Sequence, residues 1–512
     1  MLPNDSTKVD YCLMRWLFLR FLGLIYFFAF SSLSTQIIGL YGKHGILPAN
    51  NFLQAIYMQL DINRFWILPT IFWFNDSDAM LVGVCFAGMI LSVLAMLGIG
   101  SYFTLLCLWI LFLSLANIGQ DFLSFQWDAL LLETGFLAIF FAPWQWLECS
   151  WKINIGSFKW IAERLQPPIV IIWLLRWLLF RLMLESGVVK LASGDSTWRN
   201  LTALDFHYLT QPLPTPIAWY AAQLPHWFNA VSVVLVFVIE ISVPFLIFMG
   251  RKARIIAAFI LASFQTLIAL TGNYAYFNLL AVALCLCLLD DQFIISLSAK
   301  CLSVIRLPII NLTSWLSNWV NNLPPIRTLG KAHKMTSIVI AVFVGFMSIG
   351  SLETGFLGRM PVPGLFTAMR ECFSTYYICN SYGLFAIMTT KRMEIQIEGS
   401  NDKKSWQEYE FKYKPGNLVQ APCVVAPCQP RLDWQMWFAA LSDASNNRWF
   451  VNFIFRLLQG EKEVLALLAN NPFPQSPPKY IRAQFYDYHF TNVSALAQAN
   501  KALLLAARKL NK

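Results

Sequence analysis

Long apolar runs fill the first two-thirds of the chain and alternate with short polar connections. Most of the runs have about 17 to 25 residues, which is enough to cross a bilayer as a helix. Inside lipid a helix satisfies its own backbone hydrogen bonds, whereas an open sheet does not. The pattern predicts a polytopic α-helical membrane domain over residues 1–352, with about nine transmembrane helices centred near Gly23, Ala87, Leu108, Leu137, Leu178, Leu235, Ile260, Leu280 and Val342.

After residue 352 the apolar runs end, and glycine and proline punctuate the chain. We predict a linker over residues 353–392 and a soluble C-terminal domain over residues 393–512. Alternating apolar and polar positions indicate strands, and apolar positions three and four apart indicate helices. The expected strands are 393–397, 406–413 and 480–490, and the expected helices are 432–441, 449–468 and 494–510. This region should therefore be a β-rich domain with helical insertions.

Lysine and arginine fall mainly on one side of the predicted spans. With a cytoplasmic N-terminus, the inside segments before residue 352 carry fourteen of them, namely Lys8, Arg15, Arg20, Lys152, Lys159, Arg164, Arg251, Lys252, Arg254, Lys300, Arg306, Arg327, Lys331 and Lys334. The outside loops carry four, namely Lys43, Arg64, Lys190 and Arg199. Because basic residues are retained in the cytoplasm, the N-terminus should lie inside and the C-terminal domain on the exported side.

The composition agrees with a membrane protein, since 57% of residues are hydrophobic and 13% are charged. The net charge of +10 arises largely from the inside loops, and no basic run is interleaved with aromatic residues. We therefore expect membrane lipid as a partner and no nucleic acid. Short loops and the lack of a retention signal favour a bacterial inner membrane with the C-terminal domain in the periplasm. The alternative is the endoplasmic reticulum membrane with that domain in the lumen.

Four cysteines lie in the predicted exported region: Cys372, Cys379, Cys423 and Cys428. An even number in an oxidising compartment favours disulfides, most simply Cys372 with Cys379 and Cys423 with Cys428. Free thiols and a metal site are the alternatives, although the spacings do not match the usual zinc pattern. The five histidines are too scattered to form a metal site, so none is predicted.

Charged residues inside the spans are the main candidates for chemistry, because each of them is unfavourable in lipid without a partner or a purpose. The fourth span carries Asp128 and Glu133, and the fifth carries Arg176, Arg181, Glu185 and Lys190. Arg181 and Glu185 are four residues apart, which predicts an ion pair within the helix. Span order places Asp128, Glu133, Glu185 and Lys190 near the same membrane surface, where they could converge.

Three interpretations of this intramembrane polar cluster remain open. The residues can tie helices together, with Lys190 reaching the interface. Lys190 can instead be a base beside Glu185 or Asp128, or the cluster can line a pocket for a ligand or lipid headgroup. Glu240, alone in the sixth span, is interpreted as an interhelical hydrogen-bonding group.

Several long motifs resemble the lipase maturation factor family, and together they cover nearly the whole chain. They are GLYGKHGILPA at 39–49, FLSFQWDALLLETGFLAI at 122–139, LESGVVKLASGDSTWRNLTALDFHYLTQPLP at 184–214, PRLDWQMWFAAL at 430–441, NPFP at 471–474 and YIRAQFYDYHF at 480–490. The resemblance implies a polytopic membrane protein that helps secreted lipases reach their active form in the endoplasmic reticulum. It also implies that the soluble region is lumenal.

A shorter motif, GVVK at 187–190, resembles membrane-embedded vitamin K-dependent carboxylases, in which the lysine of such a motif acts as a base. No histidine falls within 122–132, where that family's pattern would suggest a second active-site residue. This departure counts against carboxylase chemistry.

We therefore expect a membrane-embedded maturation factor for exported lipases or related secreted enzymes, which acts by binding its client and not as an enzyme. The first alternative is an integral-membrane enzyme that uses Lys190 as a base. A transporter comes third, because the spans lack the paired, broken helices of such sites. The sequence identifies neither a cofactor nor a specific client.

Overall fold

The computed structural model describes residues 10–146, 153–155, 158–160, 164–304, 326–355, 364–416, 421–443 and 446–492. The helices of its N-terminal two-thirds are α1 (Cys12–Ser34), α2 (Ile37–Tyr41), α3 (Ala49–Leu60), α4 (Arg64–Ile67), α5 (Asp78–Leu97), α6 (Ser101–Ile118), α7 (Gln126–Phe141), α8 (Ile169–Ala192), α9 (Ser196–Arg199), α10 (Ala203–Thr210), α11 (Pro216–Ala221), α12 (His226–Phe237), α13 (Arg251–Thr271), α14 (Phe277–Leu286), α15 (Asp291–Val304) and α16 (Lys331–Gly355). A π-helical segment, Val238–Ser242, and a 3-10 segment, Val243–Phe248, continue α12.

Six described helical segments are long and apolar enough to cross a membrane: Cys12–Ser34, Asp78–Leu97, Ser101–Ile118, His226–Phe248, Arg251–Thr271 and Lys331–Leu352. A seventh is added if α14 and the start of α15, which meet at 107°, form one bent span. All nine predicted centres lie in helices, but α7 has 16 residues and α8 carries charged side chains. The polytopic helical architecture is thus present, and the number nine stays a prediction.

Small residues let the helices of the bundle approach closely. A side chain at Gly88 of α5 would overlap the ring of Phe30 on α1, and one at Gly135 of α7 would overlap the hydroxyl of Tyr26. Glycine permits such contacts between membrane helices, where packing replaces the hydrophobic effect as the driving force. α1 therefore packs closely against both α5 and α7.

The helix ends meet in two groups. At the Asp291 end, Asp291 accepts hydrogen bonds from the backbone of Leu13 and Met14, and Arg15 donates to the carbonyl of Leu165. There, β3 (Arg164–Leu165) pairs in parallel with β4 (Ile326–Arg327), after the hairpin of β1 (Ile153–Ile155) and β2 (Phe158–Trp160). These are the segments that were predicted to be cytoplasmic.

At the opposite, Arg431 end, the predicted exported segments contact one another. Arg431 reaches Asp128 at the start of α7, and Asn273, between α13 and α14, donates to the carbonyl of Cys423. Gln36, just after α1, donates to the carbonyl of Gln429. The C-terminal region is therefore seated directly on the membrane domain.

The C-terminal region combines a small sheet with helices. Its elements are α17 (Gly364–Cys372), β5 (Met393–Ser400), β6 (Gln407–Glu408), α18 (Arg431–Ala439), α19 (Arg448–Gln459), α20 (Lys462–Leu465) and β7 (Tyr480–Asp487). The strands are antiparallel in the order β6-β5-β7, with Met393 opposite Asp487 and Ser400 opposite Tyr480.

The predicted elements of this region are found with two changes. The strand expected at 406–413 shortens to β6, because Asn470 and Asp433 side chains accept hydrogen bonds from the backbone of Glu410, Tyr413 and Lys414. The helix expected at 449–468 divides into α19 and α20 at Gly460, which has a φ of 68°. Glycine adopts this left-handed conformation without strain, so it ends α19. The helix expected at 494–510 lies outside the described residues.

Candidate functional site

The charged residues of α7 and α8 do not converge as one cluster; they divide into separate buried contacts. Asp128 pairs with Arg431, Glu133 pairs with Arg181, and Lys190 pairs with Glu240. These contacts correct the expectation that Asp128, Glu133, Glu185 and Lys190 share one site. Glu133 and Glu185 both accept a hydrogen bond from Tyr382, whereas Asp128 and Lys190 turn to separate partners.

The contact between Glu133 and Arg181 joins α7 and α8 to a segment that was predicted to be a linker. Arg181 forms a salt bridge with Glu133 and donates to the carbonyl of Asn380 at 2.7 Å. Glu133 also accepts from the backbone of Asn380 and from the hydroxyl of Tyr382, each at 2.8 Å. Both charges are fully buried, so these hydrogen bonds offset their desolvation.

The predicted Arg181–Glu185 ion pair is replaced by two different contacts. Arg181 turns to Glu133 on the neighbouring helix, while Glu185 accepts a hydrogen bond from the backbone of Tyr382 at 2.7 Å. The other carboxylate oxygen of Glu185 is buried with no hydrogen-bond partner among the described residues. Nearby, the backbone of Gly383 donates to Gln126 at 3.1 Å. Residues 380–383 are therefore packed against α7 and α8 and do not form a free connection.

Lys190 is held by Glu240, which lies in the π-helical segment Val238–Ser242. Its Nζ donates to the two carboxylate oxygens at 3.0 and 2.8 Å and to the carbonyl of Ser186 at 3.0 Å. The ammonium also lies 5.4 Å from the ring centre of Trp198. A π-helical segment is rare and often marks a functional position. Lys190 is thus paired with Glu240 instead of the expected Glu185 or Asp128.

Asp128 joins the membrane domain to α18. Its Oδ1 and Oδ2 accept from the guanidinium of Arg431 at 2.8 and 2.9 Å, and Oδ1 also accepts from the hydroxyl of Tyr276 at 2.6 Å. Arg431 donates in addition to the carbonyl of Phe122. This two-pronged contact has the geometry preferred by arginine and carboxylate, and it fixes how α18 sits on the bundle.

Arg176 lies away from these contacts, near the Asp291 end. Its Nε donates to the carbonyl of Cys287 at 2.9 Å, and the guanidinium lies over the rings of Tyr11 and Trp173. The predicted intramembrane cluster of Glu133, Arg176 and Arg181 therefore contains two residues that meet and one that does not. Arg176 serves local packing of α8 against the chain between α14 and α15.

The four C-terminal cysteines are free thiols in this structure. Cys372 is exposed at the end of α17, whereas Cys379 is buried with its Sγ 3.4 Å from the hydroxyl of Ser348. Cys428 is exposed, and Cys423 is half-buried. The expected pairing is therefore not formed here, and it stays a prediction. Among the described residues no three His, Cys, Asp or Glu side chains are grouped to hold a metal ion.

A cavity of about 480 Å³ lies beside the Lys190–Glu240 pair. It is lined mainly by α8, α10, the extended α12, α13 and Phe385, and most of its walls are apolar. This volume is typical of small-molecule sites, which occupy about 300 to 1,000 Å³. The polar groups of the wall include Lys190, Glu240 and His207. Its size and lining make this cavity, within the described part of the chain, suitable for a ligand or cofactor.

Sequence reasoning missed several partners for a physical reason. Arg431, Asn380 and Tyr382 are distant in sequence from the charges they contact, so periodicity carries no information about them. Glu240 was recognisable, because a lone acid in one span and a lone lysine in another both need partners. The opposite charges of Lys190 and Glu240 could therefore have indicated the ion pair that the structure contains.

Comparison with known proteins matches both parts of the chain to one family. The lipase maturation factor transmembrane domain matches residues 13–296, and the C-terminal domain of that family matches residues 378–503. No solved structure matches the chain significantly.

Full-length relatives give the same result. Lipase maturation factor 2 of Xenopus laevis is 39% identical over 94% of this chain and 79% of its own length. The Homo sapiens protein of that name is 37% identical over 94% of this chain and 80% of its own length. Lipase maturation factor 1 of Bos taurus is 32% identical over 96% of this chain and 86% of its own length. The chain belongs to the lipase maturation factor family.

Proposed function

We propose that this protein is a maturation factor for a secreted lipase, embedded in the membrane of the endoplasmic reticulum with its C-terminal region in the lumen. The observation that carries the proposal is the match of this chain to both domains of one family. The names of the relatives describe those proteins, and identity of 32 to 39% over most of this chain supports the same role here.

The proposed mode of action is binding of the client. Asp128, Glu133 and Lys190 each contact a partner of opposite charge, so their charges hold elements together. A general base needs a free lone pair within reach of its substrate, whereas the Lys190 ammonium is surrounded by acceptors. These contacts support an adaptor that presents a shaped surface to its client.

We also propose the nine-span topology with a cytoplasmic N-terminus. The Asp291 end gathers the segments that carry the excess of lysine and arginine, and the Arg431 end gathers the others. A chain that passes from one end to the other at each long helix would produce this grouping. α7 and α8 then cross the membrane although one is short and the other is charged, because the bundle shields both of them.

The relatives favour the endoplasmic reticulum over the bacterial inner membrane. The matched proteins named here come from frog, human and cattle. A lumenal C-terminal region is on the side where a secreted client folds, and the charge distribution supports that orientation.

Loss of the protein should reduce lipase folding without reducing lipase synthesis. In host cells that lack this protein, we expect secreted lipase antigen to persist while activity per unit of antigen falls to background. Wild-type protein should restore the specific activity, and an unrelated secreted enzyme serves as the control. Unchanged specific activity across the host's secreted lipases would reject the proposal.

A truncation before Met393 is not a suitable test of client binding. It removes Arg431, the partner of Asp128, together with the segment that covers this end of the bundle, and both losses should destabilise the membrane domain. Loss of activity would then not distinguish a misfolded membrane domain from a missing client surface. Complementation with the full chain avoids this problem.

A second candidate function, an integral-membrane enzyme with Lys190 as its base, rests on the position of Lys190 in the cavity wall. Lys190→Arg separates the two functions, since arginine retains the charge and can pair with Glu240 but does not give up its proton. The maturation proposal expects nearly normal lipase activation by this variant. Complete loss of function in a folded, membrane-inserted Lys190→Arg protein would favour the enzyme.

A further inference from the structure

The cavity beside Lys190 opens toward the side of the bundle that faces lipid. Its wall includes Leu235 of α12 and Leu267 and Leu270 of α13, and these side chains are 52%, 62% and 46% exposed. α12 and α13 belong to helical segments that are long and apolar enough to cross a membrane. Exposed leucines on such helices contact acyl chains, so a molecule dissolved in the bilayer can enter between them.

A chain of hydrogen bonds runs from Gln211, outside the lining of the cavity, to Tyr274 and His207 in the cavity wall. The Nε2 of Gln211 donates to the carbonyls of Thr271 and Tyr208, at 2.8 and 3.2 Å. Carbonyl oxygens only accept, so this contact fixes the orientation of the amide. The Oε1 atom is then the acceptor for the hydroxyl of Tyr274 at 2.7 Å.

This chain of donors fixes the tautomer of His207. Burial, and to a smaller extent the nearby charge on Lys190, lowers the pKa of His207 to about 4, so its ring is neutral at physiological pH. The Tyr274 hydroxyl donates its hydrogen bond to Oε1 of Gln211. Its oxygen therefore accepts a hydrogen bond from Nε2 of His207, which is 3.1 Å away. A neutral ring carries one N–H, so Nδ1 is a bare acceptor.

The Nδ1 atom of His207 is buried and has no hydrogen-bond partner among the described residues. An unsatisfied buried acceptor destabilises a protein by about 1 to 3 kcal/mol, which favours a ligand that donates to it. Glu240, on the same wall, also presents carboxylate oxygens, while the Lys190 ammonium already directs its donors to Glu240 and Ser186. The wall therefore offers acceptors, and its one lysine and one carboxylate together carry no net charge.

We propose that this cavity binds an uncharged membrane lipid whose head group bears a hydroxyl, as in a monoacylglycerol or diacylglycerol. The hydroxyl donates to His207 Nδ1, and the acyl chain passes between Leu235, Leu267 and Leu270 into the bilayer. An anionic lipid is disfavoured, because the cavity wall has no uncompensated positive charge. The site goes beyond the maturation function and does not depend on it.

The test uses the full-length protein in phosphatidylcholine nanodiscs and 1-oleoylglycerol with a photoreactive group in its acyl chain. We expect crosslinks to residues of the cavity wall, identified by mass spectrometry. Unlabelled 1-oleoylglycerol should compete at least ten-fold better than methyl oleate, which has no hydroxyl, and than oleate, which is charged. Equal competition by methyl oleate or by oleate would overturn the proposed head-group recognition.

Two variants and a matched control locate the site. His207→Phe removes the acceptor and should weaken labelling about ten-fold, the loss expected for one buried hydrogen bond. His226→Phe is the control, because His226 is exposed and pairs with Asp205 outside the cavity wall. Leu270→Trp narrows the entrance at an exposed position, where folding should be preserved, and should also reduce labelling. Wild-type labelling in both His207→Phe and Leu270→Trp would reject the site.

Discussion

At the scale of single residues, the membrane domain contains charges that are stable because other parts of the chain satisfy them. Asp128, Glu133 and Glu240 each accept several hydrogen bonds, and each faces a basic side chain. Charge burial is unfavourable, so such pairs contribute more to a specific arrangement than to net stability. Their main effect is therefore to determine which elements meet.

The Asp128–Arg431 pair gives a direct test of this role. Arg431→Met should destabilise the detergent-solubilised protein by about 3 to 5 kcal/mol, because it leaves a buried carboxylate with its charge uncompensated. The double variant Asp128→Leu with Arg431→Met should recover much of that loss. Denaturant unfolding followed by tryptophan fluorescence measures both changes.

Arg482→Met is the matched control, since Arg482 pairs with Glu398 but its side chain is 39% exposed. Removal of an exposed pair should change stability by about 0 to 1 kcal/mol. If Arg431→Met and Arg482→Met have the same small effect, the Asp128–Arg431 contact does not hold α18 on the bundle.

At the scale of elements, β5 is attached to the membrane domain by an arginine at its start. Arg392 donates to the carbonyl of Leu209, in the last turn of α10, and to those of Gln211 and Pro212, just after that helix. Glu394 holds Arg392 and Lys414, with oxygen to nitrogen distances of 2.7 and 2.8 Å. The sheet and the loop after α10 are thus fixed to each other by one buried charge network.

This network should make stability depend on pH. Burial alone would raise the pKa of Glu394, but Lys414 and Arg392 outweigh it and hold that pKa below its ordinary value. A carboxylate with a depressed folded-state pKa stabilises the protein above its unfolded-state pKa, near 4, and loses this effect as the pH falls through the folded value.

Glu394→Gln isolates this contribution from the other titrating groups. The variant should be about 1 to 3 kcal/mol less stable than wild type at pH 7, since it removes charged hydrogen bonds. The difference should shrink as the pH falls from about 4 through the lower folded-state pKa, below which wild-type Glu394 is protonated as well. A difference that is constant from pH 7 to pH 3, measured by denaturant unfolding, would contradict the assignment.

The cysteines near these elements provide a separate prediction. Cys423 and Cys428 are close in sequence and lie in the loop before α18, so an oxidising lumen should join them. Cys379 is packed against Ser348, and its pairing with exposed Cys372 requires that contact to open. Mass spectrometry of unreduced peptides should find the Cys423–Cys428 bridge in the greater yield. Four free thiols in protein isolated with a thiol-blocking reagent would reject both bridges.

At the scale of the whole molecule, the sequence predicted the local features well and the long-range ones poorly. The helices around Gly23 and Val342 follow from the length of the apolar runs, and the strands that begin at Met393 and Tyr480 follow from alternating apolar and polar positions. Asn380 and Tyr382 were assigned to a linker, because polar and glycine-rich segments predict loops. Their backbone groups instead satisfy Glu133 and Glu185, and only the packed bundle reveals that need.

The proposed topology makes the broadest prediction, because it assigns a membrane side to every loop. Single-cysteine variants in sealed endoplasmic reticulum vesicles should report it with an impermeant maleimide. Cys301, in α15, should react in intact vesicles, whereas Cys428 should react only after the membrane is permeabilised.

Cys85, buried within α5, is the control that should remain unlabelled in both conditions. One membrane crossing, by α16, lies between Cys301 and Cys428 in this topology. If both cysteines react from the same side, α16 does not cross the membrane, and the C-terminal region cannot be lumenal while α15 is cytoplasmic. Opposite sides for this pair, with Cys428 protected, would be the expected result for a protein that meets its client in the lumen.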